Sequence, residues 1–253
     1  MMRLFALTCG WLTGHLGGFL KGEHGRIKVP VPCYLVEHPK GSLLFDAGLH
    51  PAVAHDATGR LGVLASFFEP DFAAGEDVGG RLAALGVDAG RVQWLVNSHF
   101  HFDHAGGNAC VPNARLVVQR REWEAAQDPD LRAGNFLDPR DWDLGHDRLL
   151  VDGEHDVFGD GRVVCLPTHG HTPGHQSLRV RLDDGQEVVL AGDACYLRRT
   201  LEALHLPSVV YDEAQMLDAL HRLRALQASG ARIFYGHDPE FWQTVPQAPL
   251  AVG

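Results

Sequence analysis

The chain has 253 residues, of which 45% are apolar and 21% charged, and Asp plus Glu outnumber Lys plus Arg by 32 to 22. This is the balance of a globular protein with a substantial core, and the net charge of −10, with basic residues no denser than the pairs Arg120-Arg121 and Arg198-Arg199, argues against a nucleic-acid partner. Residues 1–20 lack a basic leader and a small-residue cleavage site, and no stretch approaches the ~18 uninterrupted apolar residues of a membrane span, so neither is expected. The five cysteines are odd in number and irregularly spaced, which implies no disulfide framework and suits a reducing cytoplasm; Cys33 and Cys165 read as buried small hydrophobes.

In chain order, Leu4 to Thr8 reads as a first strand, and Cys33 to Glu37 with Ser42 to Phe45 as a hairpin around Pro39-Lys40-Gly41. Residues 46–75 read as irregular and aromatic, with Phe67, Phe68 and Phe72 close together, as a flap over a pocket or a loop against the core. A short helix over Arg81 to Leu85 ends at Gly86, and strands follow at Arg91 to Val96 and Leu116 to Gln119, then a helix at Arg121 to Gln127. Further strands are expected at Leu149 to Val151, Arg162 to Leu166, Ser177 to Leu182, Glu187 to Ala191 and Arg232 to Tyr235. The clearest helix spans Asp212 to Leu226, with Asp212 as N-cap, an apolar stripe of Met216, Leu220 and Leu223, and Gly230 as terminator.

Between the fourth and fifth predicted strands lies the run Asn97 to Gly107, which contains H-x-H-x-D-H from His99 to His104. Imidazole nitrogens with a carboxylate oxygen suit borderline divalent metals, zinc above all. His99 and His101, two apart, can face one metal, and Asp103 and His104 can reach a second, the pattern of a two-metal hydrolytic site. Four apolar strands run straight into residues of this type: Leu95-Val96 into His99, Val164 to Leu166 into His171, Val188 to Ala191 into Asp193, and Ile233 to Tyr235 into His237. Rigid strand ends can hold such groups at one edge of packed sheets. Strands without steady β-α alternation suggest two sheets flanked by helices.

Taken together, these residues resemble the metallo-β-lactamase superfamily and, within it, the N-acyl-homoserine lactonases. The resemblance rests on Val29-Pro30-Val31 leading to Cys33-Tyr34-Leu35, Phe45-Asp46-Ala47-Gly48, the segment Asn97 to Asn108, Gly170 to Leu178, Gly192-Asp193-Ala194-Cys195-Tyr196 and Gly236-His237-Asp238. It implies one domain over residues 1–253, an α/β four-layer αβ/βα sandwich of two mixed β-sheets with the metals at one edge. It further implies that His99, His101 and His171 bind one metal, that Asp103, His104 and His237 bind the other, that Asp193 bridges them, and that a bridging hydroxide completes the site. The implied activity is hydrolysis of the lactone ring, with Tyr196 steadying the oxyanion and Asp103 passing a proton to the leaving alkoxide. The expected cofactors are two divalent ions, zinc by ligand type. The expected partner is a small lactone carrying an acyl chain, with the protein a cytoplasmic monomer or homodimer. Another lactone, an ester or thioester, or ligand binding without catalysis are the alternative readings.

Around this set, His169 and His175 read as residues outside the ligand shell, Asp46 and Asp238 as turn residues or supports of a ligand histidine, and Cys195 as a small filler. His15, His24, His50 and His55 read as surface or pocket-rim residues. Trp11, Leu16, Phe19, Phe67, Phe68 and Phe102 are the candidates for an acyl channel.

Overall fold

The computed structural model describes residues 1–252. Its first seven strands, β1 (Arg3–His15), β2 (Arg26–His38), β3 (Gly41–Phe45), β4 (Glu69–Asp71), β5 (Trp94–Val96), β6 (Arg115–Gln119) and β7 (Arg148–Val151), form one sheet in the order β4-β1-β2-β3-β5-β6-β7. The pairs β1–β2, β2–β3 and β1–β4 are antiparallel, whereas β3–β5, β5–β6 and β6–β7 are parallel. The remaining strands, β8 (His155–Asp156), β9 (Val163–Pro167), β10 (Gln176–Arg181), β11 (Glu187–Leu190) and β12 (Arg232–Phe234), form a second mixed sheet in the order β12-β11-β10-β9-β8.

Side-chain alternation builds the layers. Leu43, Phe45, Val96 and Val117 pack against Val163, Cys165, Leu178, Val188 and Phe234 between the sheets. Their neighbours Leu44, Leu95, Leu116 and Val118 point the other way, onto Val78, Leu82, Ala126 and Trp142. On the outer face of the second sheet, Val164, Leu166, Val189 and Ile233 meet Ala219, Leu220 and Leu223 of the long helix Glu213–Ala228. A period of two in strands buried on both faces leaves no polar side, so these runs are continuously apolar. The result is the two-sheet, helix-flanked sandwich the sequence implied.

The Asp212 side chain accepts the Gln215 N–H and caps that helix as expected. Three expectations need correction. The first strand does not stop at Thr8: it bulges between Thr8 and Trp11, where Gly10 takes φ +101°, and continues to His15. Only Trp94–Val96 of the segment 91–96 is strand, because Asp88 caps a helical turn over Ala89–Arg91. The stretch 46–75 is ordered, with helical turns at Pro51–Ala54, Ala57–Leu61 and Gly62–Ser66 and the edge strand β4, whose Glu69 and Asp71 pair with Arg26 and Lys28. Its apolar residues are anchored by contacts distant in sequence, which local patterning does not display.

Candidate metal centre

The loops after β5, β9, β11 and β12 open on one edge of the sandwich and bring seven side chains together. His99, His101, His171 and Asp193 form one group, and Asp103, His104 and His237 the adjoining one, each with its donor atoms within 4.8 Å of one another. In the first group, His101 Nδ1 lies 2.9 Å from His99 Nε2 and 3.0 Å from His171 Nε2, and the latter two are 3.2 Å apart. Nitrogens around a tetrahedral zinc at ordinary bond lengths stand roughly 3.3 Å apart. Asp193 reaches both groups. Its Oδ2 is 3.3 Å from His171 Nε2, while its Oδ1 is 3.2 Å from His104 Nε2 and 3.1 Å from His237 Nε2. Asp103 Oδ2 stands 3.6 Å from His237 Nε2.

Outer contacts decide which ring nitrogen carries a proton. His101 Nε2 donates to the Asn135 carbonyl at 2.8 Å, and His237 Nδ1 to the Pro30 carbonyl at 2.8 Å. A carbonyl only accepts, so in the neutral ring the nitrogen facing the cluster is a lone pair. His104 Nδ1 lies 2.9 Å from Asp46 Oδ2, with the same consequence. Lone pairs thus face lone pairs and a carboxylate. Accordingly, His104 Nε2 and Asp193 Oδ1 are buried without a hydrogen-bond partner. Such orphaned acceptors are costly in a dry interior unless a cation sits among them. The donor set of five imidazoles and two carboxylates fits two borderline divalent ions.

The electrostatics of the side chains divide the cluster in two. Burial, then the neighbouring imidazoles, pushes His99 well below the usual histidine range, and burial also lowers His101 and His171. Burial opposes charge on His104 too, but Asp193, Asp103 and Asp46 outweigh it and hold that ring well above the usual range. Asp193, despite burial, is held well below the usual carboxylate range by His104 and His237. One half favours neutral imidazoles, and the other gathers positive charge around the Asp193 carboxylate.

The supporting residues are equally specific. Asp46, at φ +57°, accepts from Ser98 N at 2.7 Å and Ser98 Oγ at 2.8 Å while holding His104. It therefore supports a site histidine from a strained turn. His175 Nε2 accepts the Asp193 N–H at 3.0 Å and its Nδ1 meets Thr168 Oγ1 at 2.9 Å, so it stands behind the cluster. Burial pushes its imidazole down to about 3. His169 bonds only the His175 carbonyl, at 3.1 Å. Asp238 does not touch His237: it caps the helical turn Pro239–Trp242 and accepts from Arg198 N. The buried Cys195 thiol points to the Leu197 carbonyl. Gly106 and Gly107 press against the Phe102 and Ala47 carbonyls, so a Cβ at either would collide and displace the loop.

Glu122 was not anticipated. Its buried carboxylate accepts from Phe100 N at 3.1 Å, Thr172 Oγ1 at 2.8 Å and Gly174 N at 2.9 Å, tying the His99–His104 loop to the His171 loop. Burial raises its pKa against these three bonds. The available signal was its spacing: Glu122 falls on the same helical stripe as the buried Ala125 and Ala126.

A cavity of about 200 Å³ opens directly on the cluster. His101, Asp103, His171, Asp193, His237 and Tyr196 form its floor, and Phe19, Leu64, Phe67, Phe68, Phe102, Phe136 and Val209 line its sides. The Tyr196 hydroxyl is 3.3 Å from His171 Nδ1, and its ring packs edge-on against Phe19. Of the expected channel residues, Trp11 and Leu16 do not line this cavity. Trp11 lies under Lys28 Nζ, and Leu16 packs at the margin of the core. Leu64, Phe136 and Val209 take part in their stead because turns remote in sequence bring them to the mouth.

A sequence model of the metallo-beta-lactamase superfamily matches residues 26–237, which span every one of these floor residues. The chain belongs to this superfamily. Within it, the chain is 34% identical to the N-acyl homoserine lactonase AttM of Azorhizobium caulinodans, over 98% of this chain and 97% of that protein. It is 32% identical to an N-acyl homoserine lactonase of a Bacillus species, over 85% of this chain and 83% of the other. Among solved structures it superposes on an N-acyl homoserine lactone hydrolase with N-hexanoyl-L-homoserine bound at the catalytic metal centre. That match has a TM-score of 0.88 at 26% identity and covers 99% of this chain and 98% of the other.

Proposed function

We propose that this protein hydrolyses the lactone ring of N-acyl homoserine lactones to the open-chain N-acyl homoserines, and so quenches signalling that depends on them. One observation carries the reading: a cluster built for two divalent cations forms the floor of a cavity whose walls are phenylalanine and aliphatic side chains. A polar, hydrolysable head and an apolar tail match the two halves of that cavity.

His99, His101 and His171 would hold one ion, Asp103, His104 and His237 the other, with Asp193 shared. We read the ions as zinc, since imidazole and carboxylate at near-tetrahedral spacing favour it. Bound there, they polarise the lactone carbonyl and lower the pKa of water. The chain's own groups do the rest. Burial holds the Tyr196 phenol well above its ordinary range, so its hydroxyl keeps a proton to donate to the oxyanion that develops on the carbonyl oxygen. Water adds its oxygen to the carbonyl carbon and gives up a proton to Asp103, which faces the cavity; the ring C–O bond breaks, and Asp103 delivers that proton to the departing alkoxide. Phe19, Phe68 and Phe102 exclude water and grip the acyl chain.

Because the two sheets share one apolar layer and all site residues come from one chain, we read residues 1–253 as a single catalytic domain, competent as monomer or homodimer. Five unpaired cysteines fit a cytoplasmic setting, and among the described residues no helix is long and apolar enough to cross a membrane.

The test is ring-opening of N-hexanoyl and N-decanoyl homoserine lactone, followed as proton release, before and after chelation and zinc return. Chelator-sensitive turnover restored by zinc is the expected result. No turnover by protein carrying two ions per chain would remove the substrate and leave the metal centre to be tried on other lactones, esters and thioesters.

A further inference from the structure

Two segments far apart in sequence supply walls of the cavity. Residues 57–68 contribute Leu64, Phe67 and Phe68, and residues 129–142 contribute Phe136. The second segment is fixed to the floor at two points. The Asn135 carbonyl accepts from His101 Nε2 at 2.8 Å, and the Trp142 ring stacks on Phe100 with centres 5.4 Å apart. The first segment reaches the floor at one end, where Phe68 packs on Phe102 with ring centres 5.5 Å apart. Nearer its other end it hangs on Arg60.

Arg60 sits in the helical turn Ala57–Leu61, is 8% exposed, and sends its guanidinium across to the second segment. Nη2 pairs with Asp141 Oδ1, and Nη1 stands 3.5 Å from Asp138 Oδ2. Arg140 Nη2 donates back to the Arg60 carbonyl at 3.0 Å and holds Asp138 Oδ2 at 2.6 Å. From Arg60 the chain runs directly into the turn Gly62–Ser66, where Phe67 N and Phe68 N both donate to the Leu64 carbonyl at 3.0 Å. The position of Arg60 therefore sets that of Leu64 and Phe67. Stability alone does not account for this ion pair. Asp141 is 1% exposed, its Oδ2 is buried without a hydrogen-bond partner, and burial pushes its carboxyl up to about 7 despite Arg60. Apolar side chains of the same volume are often as stable or more so. A guanidinium fork facing two carboxylates supplies direction, and so fixes how the segments it joins sit against each other.

The walls differ in depth. Phe19 packs with its ring centre 5.4 Å from that of Tyr196 and 6.0 Å from that of His237, so it and the Phe68–Phe102 pair flank the floor. Phe67 is more than half exposed and stands at the mouth. A short acyl chain is covered by the inner rings, and a longer one extends to Leu64 and Phe67. We propose that Arg60 is a positioning residue that, through Asp138 and Asp141, holds the Leu64–Phe67 turn against the cavity and so sets the affinity for long acyl chains. The chain-length part of the proposal rests on the lactonase reading given above; the hold on the turn does not.

The test uses the zinc-loaded wild type, the double variant Arg60→Met with Asp141→Leu, which leaves neither charge of the pair behind, and Arg60→Lys, which keeps the charge without the fork. KM and kcat are measured for N-hexanoyl and N-decanoyl homoserine lactone, and amide hydrogen exchange is measured without substrate. In the double variant, KM for the decanoyl chain is expected to rise about fivefold and for the hexanoyl chain less than about twofold, with kcat little changed. Amides of residues 57–68 should exchange about tenfold faster, with those of residues 97–108 unchanged. Arg60→Lys should show the same pattern more weakly. Wild-type protection over residues 57–68, or a wild-type decanoyl KM, in the folded double variant overturns the proposal; should that variant not fold, the same result in Arg60→Lys does so. An equal rise in KM for both chains, or a fall in kcat with faster exchange over residues 97–108, also overturns it, because the pair would then be a general prop of the fold. If the wild type opens neither lactone, the lactonase reading falls, and the exchange measurement decides by itself whether Arg60 holds the turn.

Discussion

The floor and the mouth of the cavity are held in different ways. On the floor, His101, His104 and His237 each have an outer nitrogen fixed by Asn135, Asp46 or Pro30, and Asp193 is gripped through its own N–H by His175. At the mouth, Phe67 is 52% exposed, Val209 55% and Phe136 43%, and their side chains have only apolar contact to hold them. Hydrogen bonds are directional, so the floor has one arrangement of low energy; apolar contact tolerates several. The floor is thereby suited to fixed chemistry, and the mouth to tuning which chain enters.

The sharpest way to break this contrast is Asp193→Ala. Removing the shared carboxylate should lower kcat/KM by about a thousandfold or more and halve the bound metal at least, measured by elemental analysis beside the lactone assay. An active variant with two ions per chain would refute the shared role.

Glu122→Ala tests whether the floor is built from outside itself. Three donors would lose a buried acceptor, and stability should fall by about 3 kcal/mol in denaturant unfolding, with weaker metal retention. A change within experimental error would mean that the two loops hold their places unaided.

His175 gives the floor a pH dependence. Its folded-state value, about 3, lies below the ordinary histidine value in the unfolded chain. Its neutral form therefore contributes fully above about pH 6.5, and the contribution is lost as pH falls below that, by about 2 kcal/mol at pH 5. His175→Gln should flatten that limb of the stability–pH curve; an equally steep limb would assign the acid loss to other groups.

Tyr196→Phe separates chemistry from metal binding on the floor. It should lower kcat/KM by about tenfold to a hundredfold with both ions retained. Unchanged kinetics would remove the hydroxyl from the reaction. At the mouth the effects should be smallest. Phe67→Ala should raise KM for a decanoyl chain about threefold, and less for a hexanoyl chain, with kcat little altered. A floor-like loss there would show the mouth to be as rigid as the floor.

How much of this was legible beforehand differs between the same two regions. The floor residues stand in short motifs at strand ends, where apolar runs meet His or Asp, so their types and positions were visible along the chain. Their supports were visible only in part. Asp46 and Asp238 each read as a turn residue or a support of a ligand histidine, and the structure gives Asp46 the second role and Asp238 the first. Glu122 passed unnoticed because its three partners, Phe100, Thr172 and Gly174, lie 22 to 52 residues away. At the mouth, the phenylalanines were named from loops that the family resemblance places there, yet Trp11 and Leu16 do not reach the cavity, while Leu64, Phe136 and Val209 do.

The sequence by itself pointed to two sheets flanked by helices, through strands that lack steady β-α alternation, and to the kind of chemistry, through His and Asp at strand ends. Those signals are local, because side-chain period and donor type are properties of neighbouring residues. Only the tertiary structure decided that Asp193 stands between the two groups, that Glu122 ties their loops together, and that Arg60 meets Asp141. Each of these depends on segments brought together from far apart, and such contacts leave no period or spacing in the chain to read.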